Sequence, residues 1–336
     1  DGLPDWADPE GMLLASRRAR LTDPPIIVKM RELVKGKPNV LSLAQGVVHW
    51  EPPSAALEAS RGHGDHGYTP GAGVAPLVDA LTEKIHRENG LVKSSVMATA
   101  GANQAYANLA LLLLDAGDRA AVFSPFYFNH VMALQMVGAE PVVLPMTKSY
   151  APSLEALREA FSSSSSGGKR IRAVTVVNPG NPTGTMIPLP LLEAIRDLCE
   201  AQGAFLVVDN TYEYFDYDGQ HRCVEGDHVV NLFSFSKAYG AMGWRVGYLA
   251  YPSYLRPDLE KIQDTIIITP TAVSQAFALA CLRDAGKPWV LERLESLREP
   301  RRIIRDALDA ALSPLTTTTE EKKEEGGNVV SPGTGA

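Results

Sequence analysis

In the stretch SFSKAYGAMGWRVGY, Ser234, Lys237 and Arg245 stand at offsets of three and eight residues, directly after an apolar run that reads as a strand. A lysine amine can form a Schiff base with an aldehyde, while a serine hydroxyl and a guanidinium suit a phosphate monoester dianion. Taken alone, Lys237 reads as an ordinary surface cation. The assignment therefore turns on what the rest of the chain supplies.

An aldehyde and a phosphate are two of the four handles of pyridoxal phosphate, the others being a pyridine nitrogen and a phenolic oxygen. Asp209 closes the apolar run AFLVVD, and Tyr212 follows three residues later. A carboxylate there would hold the pyridine nitrogen protonated and make the ring an electron sink, and the tyrosine would donate to the phenolic oxygen. Asn181 lies in the turn-rich NPGNPTG and offers an amide to that oxygen or to a substrate carboxylate, although the motif alone is only a turn. The segment TAGANQAY joins a strand to a helix, so amides near Gly101, Ala102 and Asn103 would lie at the positive end of the helix and favour the phosphate; a plain helix start reads the same way. Tyr127, in SPFYF, has a ring that could stack on the pyridine, or serve as core or rim.

These residues need a frame that brings them to one edge. From about residue 96 to 250, short β-rich runs alternate with amphipathic helical patterns, which implies an α/β fold with a mostly parallel seven-stranded sheet sandwiched by helices. The strands are read at VMAT, AAVFS, EPVVLPM, IRAVTVV, AFLVVD, VVNLFSF and VGYLAY. Residues 41–252 read as a large cofactor-binding domain. Residues 1–40 and 253–312 read as a smaller, incomplete α+β domain, and residues 313–336 as a disordered tail with almost no apolar side chains. The run SSSSSGGKR from Ser162 reads as a surface loop.

The ordered set AQG, YTPGAG, TAGANQA, PFYF, NPGNPTG, DNTY and SFSK with GWRVGY resembles the class I/II aminotransferases of the aspartate aminotransferase fold type I, over about residues 41 to 300. Within that family LSLAQGVVHWEPP and the segment from Asn210 to Tyr248 are most similar to plant and algal aromatic aminotransferases that also use methionine. The resemblance implies Lys237 as the Schiff-base lysine, Asp209 on the pyridine nitrogen, Tyr212 and Asn181 on the phenolic oxygen, and Ser234, Arg245 and the amides near Ala102 on the phosphate. It implies Tyr68 reaching the phosphate of a neighbouring subunit, hence a homodimer, with Gly46 near the substrate carboxylate and Trp50 lining the side-chain pocket. The implied activity is ping-pong transfer of an amino group between an aromatic amino acid or methionine and a 2-oxo acid. The same motifs also serve elimination enzymes such as C–S lyases and aminocyclopropane-carboxylate synthases. One family feature, an arginine clamping the substrate carboxylate beyond a glycine pair, has no match after EEGG, which raises the expectation of a chain that binds the cofactor but transaminates poorly, or of a non-catalytic homologue.

Composition narrows the remaining classes. The 336 residues are 45% hydrophobic and 21% charged, as in an ordinary folded globular protein, and a net charge of -7 gives no general attraction to nucleic acid or anionic lipid. No apolar run approaches the roughly 20 residues that a membrane span needs. Three scattered cysteines fit a reducing compartment, cytoplasmic or, with a removed leader before Asp1, plastid. His63 and His66, in a glycine-rich loop, read as solvent-exposed rather than metal ligands, and no metal site is expected.

Overall fold

Seven β-branched runs pair into a single sheet in a computed structural model that describes residues 12–64, 66–164 and 169–325. The strands are β1 (Ser94–Thr99), β2 (Arg119–Ser124), β3 (Glu140–Pro145), β4 (Ile171–Val177), β5 (Phe205–Asp209), β6 (Val229–Ser234) and β7 (Gly247–Pro252), each overlapping a strand read from the sequence. Their order is β1-β7-β6-β5-β4-β2-β3, parallel except for β7, which runs antiparallel to both β1 and β6. Continuous apolar strands such as IRAVTVV suit this arrangement, because a sheet covered on both faces buries every side chain and needs no polar alternation.

Twelve α-helices accompany the sheet: α1 (Arg17–Leu21), α2 (Ile26–Val34), α3 (Ser54–Arg61), α4 (Ala75–Lys84), α5 (Ala102–Leu113), α6 (Phe128–Val137), α7 (Leu154–Ser164), α8 (Leu189–Gln202), α9 (Arg256–Ile267), α10 (Ala272–Ala280), α11 (Gly286–Glu295) and α12 (Arg298–Glu325). Successive residues of β5 point to opposite faces: Val207 joins a core with Leu109, Leu134 and Leu259, and Leu206 and Val208 join another with Leu157, Leu192 and Ile195. The sheet is therefore sandwiched as expected, by α5, α6 and α9 on one face and by α7 and α8 on the other.

Three boundaries differ from the sequence reading. Among the described residues, those up to Val290 form one compact unit and those from Leu291 another, a division inside α11, where the sequence reading places one after residue 252. The cause is that α9 packs on α5, and α10 on α3 and α4, within the first unit. Of the segment 313–336, expected to be disordered, residues 313–325 continue α12 and residues 326–336 lie outside the described ones. The Glu- and Lys-rich end of α12 is made of good helix formers and extends a turn already nucleated upstream, so the costly first step of helix formation does not recur. Likewise α7 takes the serine run to Ser164 before residues 165–168, which lie outside the described ones. No single described helix is long and apolar enough to cross a membrane.

Candidate active site

The strand ends align the motif residues by register. Thr99 pairs with Gly247 and Gly247 with Ser234 across β1, β7 and β6, while Val177 pairs with Asp209 and Asp209 with Leu232 across β4, β5 and β6. Because β7 is antiparallel, its first residue lies at the same edge as the last residues of its parallel neighbours. The loops carrying Gly101, Tyr127, Asn181, Tyr212 and Lys237 all leave from that edge.

Asp209 is buried, and each carboxylate oxygen has a donor: the Thr211 amide gives a hydrogen bond to Oδ1 at 2.9 Å, and His130 Nε2 lies 3.0 Å from Oδ2. His130 is itself buried, stacked on Tyr106 with ring centroids 4.1 Å apart and met edge-on by Tyr127 at 5.2 Å. Sequence reasoning missed His130. Its only signal was a position three residues after Tyr127 on α6, which turns both side chains to one face of the helix start. The amide of Asn178 donates to the Asp209 carbonyl at 2.8 Å, which fastens the loop bearing Asn181 beside the carboxylate. Burial, with Asp209 and Tyr127 adding to it, pushes the Tyr212 phenol up to about 12, so it remains a proton donor at any physiological pH.

The phosphate end is built by close approach. Gly101, the N-cap of α5, has φ +82°, a conformation natural to glycine, and an added Cβ would collide with the Arg245 guanidinium. A Cβ at Gly247 would stand 2.7 Å from the Phe233 carbonyl and 3.0 Å from the Ala102 nitrogen. Helix α5 thus begins tightly against β7, with no side chain capping its first amides. Arg245 donates to the Met242 carbonyl at 2.9 Å and has no carboxylate partner among the described residues. Ser234 accepts from the Ser236 amide at 3.1 Å. A guanidinium against an uncapped helix start, neither neutralised by an acid, fits a phosphate dianion.

Lys237 is half-buried and donates to the Gly46 carbonyl at 2.5 Å, which places the expected Schiff-base lysine and the AQG motif together. Burial, and after it the charge of Arg245, holds its ammonium below the usual lysine value of 10.5. Tyr127 stands between Asn103, to which it donates at 3.1 Å, and Asn129. Trp50 is less open than expected: only 9% exposed, it stacks on Phe215 at 6.3 Å and covers Gly240, so it presents little surface to a substrate. Phe215 in turn meets the Tyr212 ring edge-on at 5.7 Å. The Tyr68 side chain is 87% exposed. No group of three or more metal-ligating side chains occurs among the described residues.

Residues 38–325 match the family model for aminotransferase class I and II. The chain is 47% identical to "Aromatic aminotransferase ISS1" of Arabidopsis thaliana over 309 residues, 89% of this chain and 77% of that protein. It is 30% identical to the aspartate/prephenate aminotransferase of Thermus thermophilus, over 88% of this chain and 79% of the relative. Its structure superposes on that of a double mutant of Thermus thermophilus aspartate aminotransferase with a TM-score of 0.80 at 29% identity, covering 91% of this chain and 81% of the other.

Proposed function

The chain belongs to the class I and II aminotransferases, which are pyridoxal-phosphate enzymes, and we propose that its amino donors are aromatic amino acids and methionine and its acceptors 2-oxo acids. The support for the aromatic choice is the 47% identity to the Arabidopsis protein of that name, together with the Tyr127, Tyr212 and Phe215 rings around the site. The observation that carries the reading is the gathering at one sheet edge of a lysine of lowered basicity, a doubly held carboxylate and an arginine at a helix start.

When bound, the cofactor supplies an electron sink for negative charge at the substrate α-carbon. The residues divide the remaining work. Asp209, held by His130 and the Thr211 amide, keeps its carboxylate aimed at the position of the pyridine nitrogen. Tyr212 would give a hydrogen bond to the phenolic oxygen, and Asn181 would share that oxygen or take a substrate carboxylate oxygen. The first amides of α5, Ser234 and Arg245 would anchor the phosphate, and the Tyr127 ring would cover one face. Lys237 Nζ would then take the proton from the substrate Cα and pass it onward rather than back, general acid–base work to which its lowered basicity is suited. Gly46, whose Cβ position faces open space, leaves room for the substrate carboxylate.

Tyr68 belongs to this site through a second copy. Its exposed side chain would reach the phosphate of a neighbouring subunit in the homodimer we assign, a reading supported by the unpartnered exposure of Leu41 and Leu43 at 88% and 89%. The direct test is Lys237→Ala. General acid–base catalysis contributes roughly 10² to 10⁴-fold, so turnover should fall at least that far while the circular dichroism of the fold is kept. Retained transamination would refute the role of Lys237.

A further inference from the structure

The turn that carries Asp209 and Tyr212 has a second side. Asn210, Glu213 and Tyr214 alternate with the two cofactor residues and enter a buried polar cluster beneath them. At its centre Lys84, the last residue of α4, gives Glu213 a two-pronged contact of 2.6 and 2.5 Å, the side chains being 4% and 8% exposed. Its ammonium also lies over the rings of Phe233, Tyr214 and Tyr248, 4.8 to 5.8 Å from their centres. Asn89 closes the pair by accepting from Lys84 at 2.9 Å and donating to Glu213 at 2.8 Å. The Tyr214 hydroxyl donates to Glu88 at 2.7 Å. Asn210, fully buried, donates to Asn231 at 3.0 Å and accepts from His221 at 3.1 Å, the imidazole being kept neutral chiefly by burial.

Tyr212, by contrast, makes no hydrogen bond through its hydroxyl with the described residues. Its place is set by its backbone, whose carbonyl accepts from Phe215 at 2.7 Å, and by the anchored neighbours on either side. A charged pair beneath an ordinary turn would be an expensive way to add stability, since apolar side chains of similar volume do as well or better. What such a pair does supply is a fixed direction.

We infer that Lys84 is a positioning residue for the cofactor: by clamping Glu213 it fixes the Tyr212 phenol in register with Asp209. The inference rests on the role given above to Tyr212. It is tested with pyridoxal phosphate and the full chain in a double-mutant cycle of Lys84→Met and Tyr212→Phe, reading the cofactor dissociation constant, the visible circular-dichroism band and the melting temperature. Each single variant is expected to weaken cofactor binding by about tenfold, the worth of one hydrogen bond, and Lys84→Met to add nothing once Tyr212 is already Phe. Leu77→Ala, a core truncation on the same helix, should lower the melting temperature and leave affinity and band unchanged. If Lys84→Met does not fold, Glu213→Gln, which keeps the shape and removes the charge, takes its place in the cycle. Additive effects of the two variants, or a Lys84 variant that melts earlier yet binds the cofactor normally, would overturn the inference. A Tyr212→Phe variant that binds as tightly as the wild type would instead overturn the role of Tyr212, and the route from Lys84 with it.

Discussion

Lys237 concentrates the chemistry of the site, and its basicity is the property most open to measurement. Burial is the larger cause of its lowered pKa and Arg245 the smaller. A depressed lysine pKa means that the folded protein binds fewer protons than the unfolded one between the two values, so the unliganded fold should gain stability as pH rises through that window. The same window governs capture of the cofactor, since only the neutral amine is nucleophilic. The rate of capture by the unloaded protein, followed in the visible, should rise with pH to a midpoint below 10.5, and Arg245→Gln should move that midpoint up only part of the way. A midpoint at or above the ordinary lysine value would contradict this. Tyr212, with a pKa of about 12, contributes no ionisation to the profile below that range.

The residue types at this scale were legible from one sequence because cofactor chemistry demands them at strand ends. His130 and Lys84 were not. Their partners, Asp209 and Glu213, lie far along the chain, and a lone His or Lys within a helical pattern carries no mark of what it will meet. Nor does the sequence announce that Trp50, whose type suits a pocket wall, stacks on Phe215 and lies against Gly240.

Among the elements, the start of α5 is the part whose backbone and chemistry are inseparable. Gly101→Ala forces a side chain into φ +82° and into the Arg245 guanidinium. The conformational part should cost about 1 to 2 kcal/mol of stability, and displacement of Arg245 should weaken cofactor affinity about tenfold or more, the loss of at least one charge-assisted bond. Gly219→Ala supplies the control. It has φ +69° and nothing within 4 Å of the added Cβ, so it should lose similar stability and keep its affinity. Equal affinity losses in the two variants would show that strain alone, and not the Arg245 contact, is at issue. All seven strands were readable because apolar β-branched runs bounded by turns have few alternatives. Helix ends were less so: the serine run and the Glu- and Lys-rich segment look like loops by composition, yet each extends a helix already formed.

For the whole molecule, assembly and activity are the same question. Leu41, Leu43, Val47 and Tyr68 are each at least 67% exposed, within the stretch that also presents Gly46 to Lys237. Covering this surface with a second copy would bury apolar side chains and deliver Tyr68 to the neighbouring phosphate. The double substitution Leu41→Asp and Leu43→Asp should therefore yield monomers in sedimentation, with weakened cofactor binding. Tyr68→Phe should weaken binding while leaving the dimer intact. A wild-type protein that sediments as a monomer and is fully loaded with cofactor would contradict the shared site.

The proposed activity of this site is the transfer of amino groups to and from aromatic amino acids and methionine. It is tested most directly by titrating the cofactor-loaded protein with single amino acids while recording the visible spectrum and the released products. Phenylalanine, tryptophan and methionine should each discharge the visible band with release of one equivalent of the matching 2-oxo acid, more efficiently than aspartate does, and an added 2-oxo acid should restore it. Release of ammonia or a thiol without restoration, or a preference for aspartate, would contradict the account.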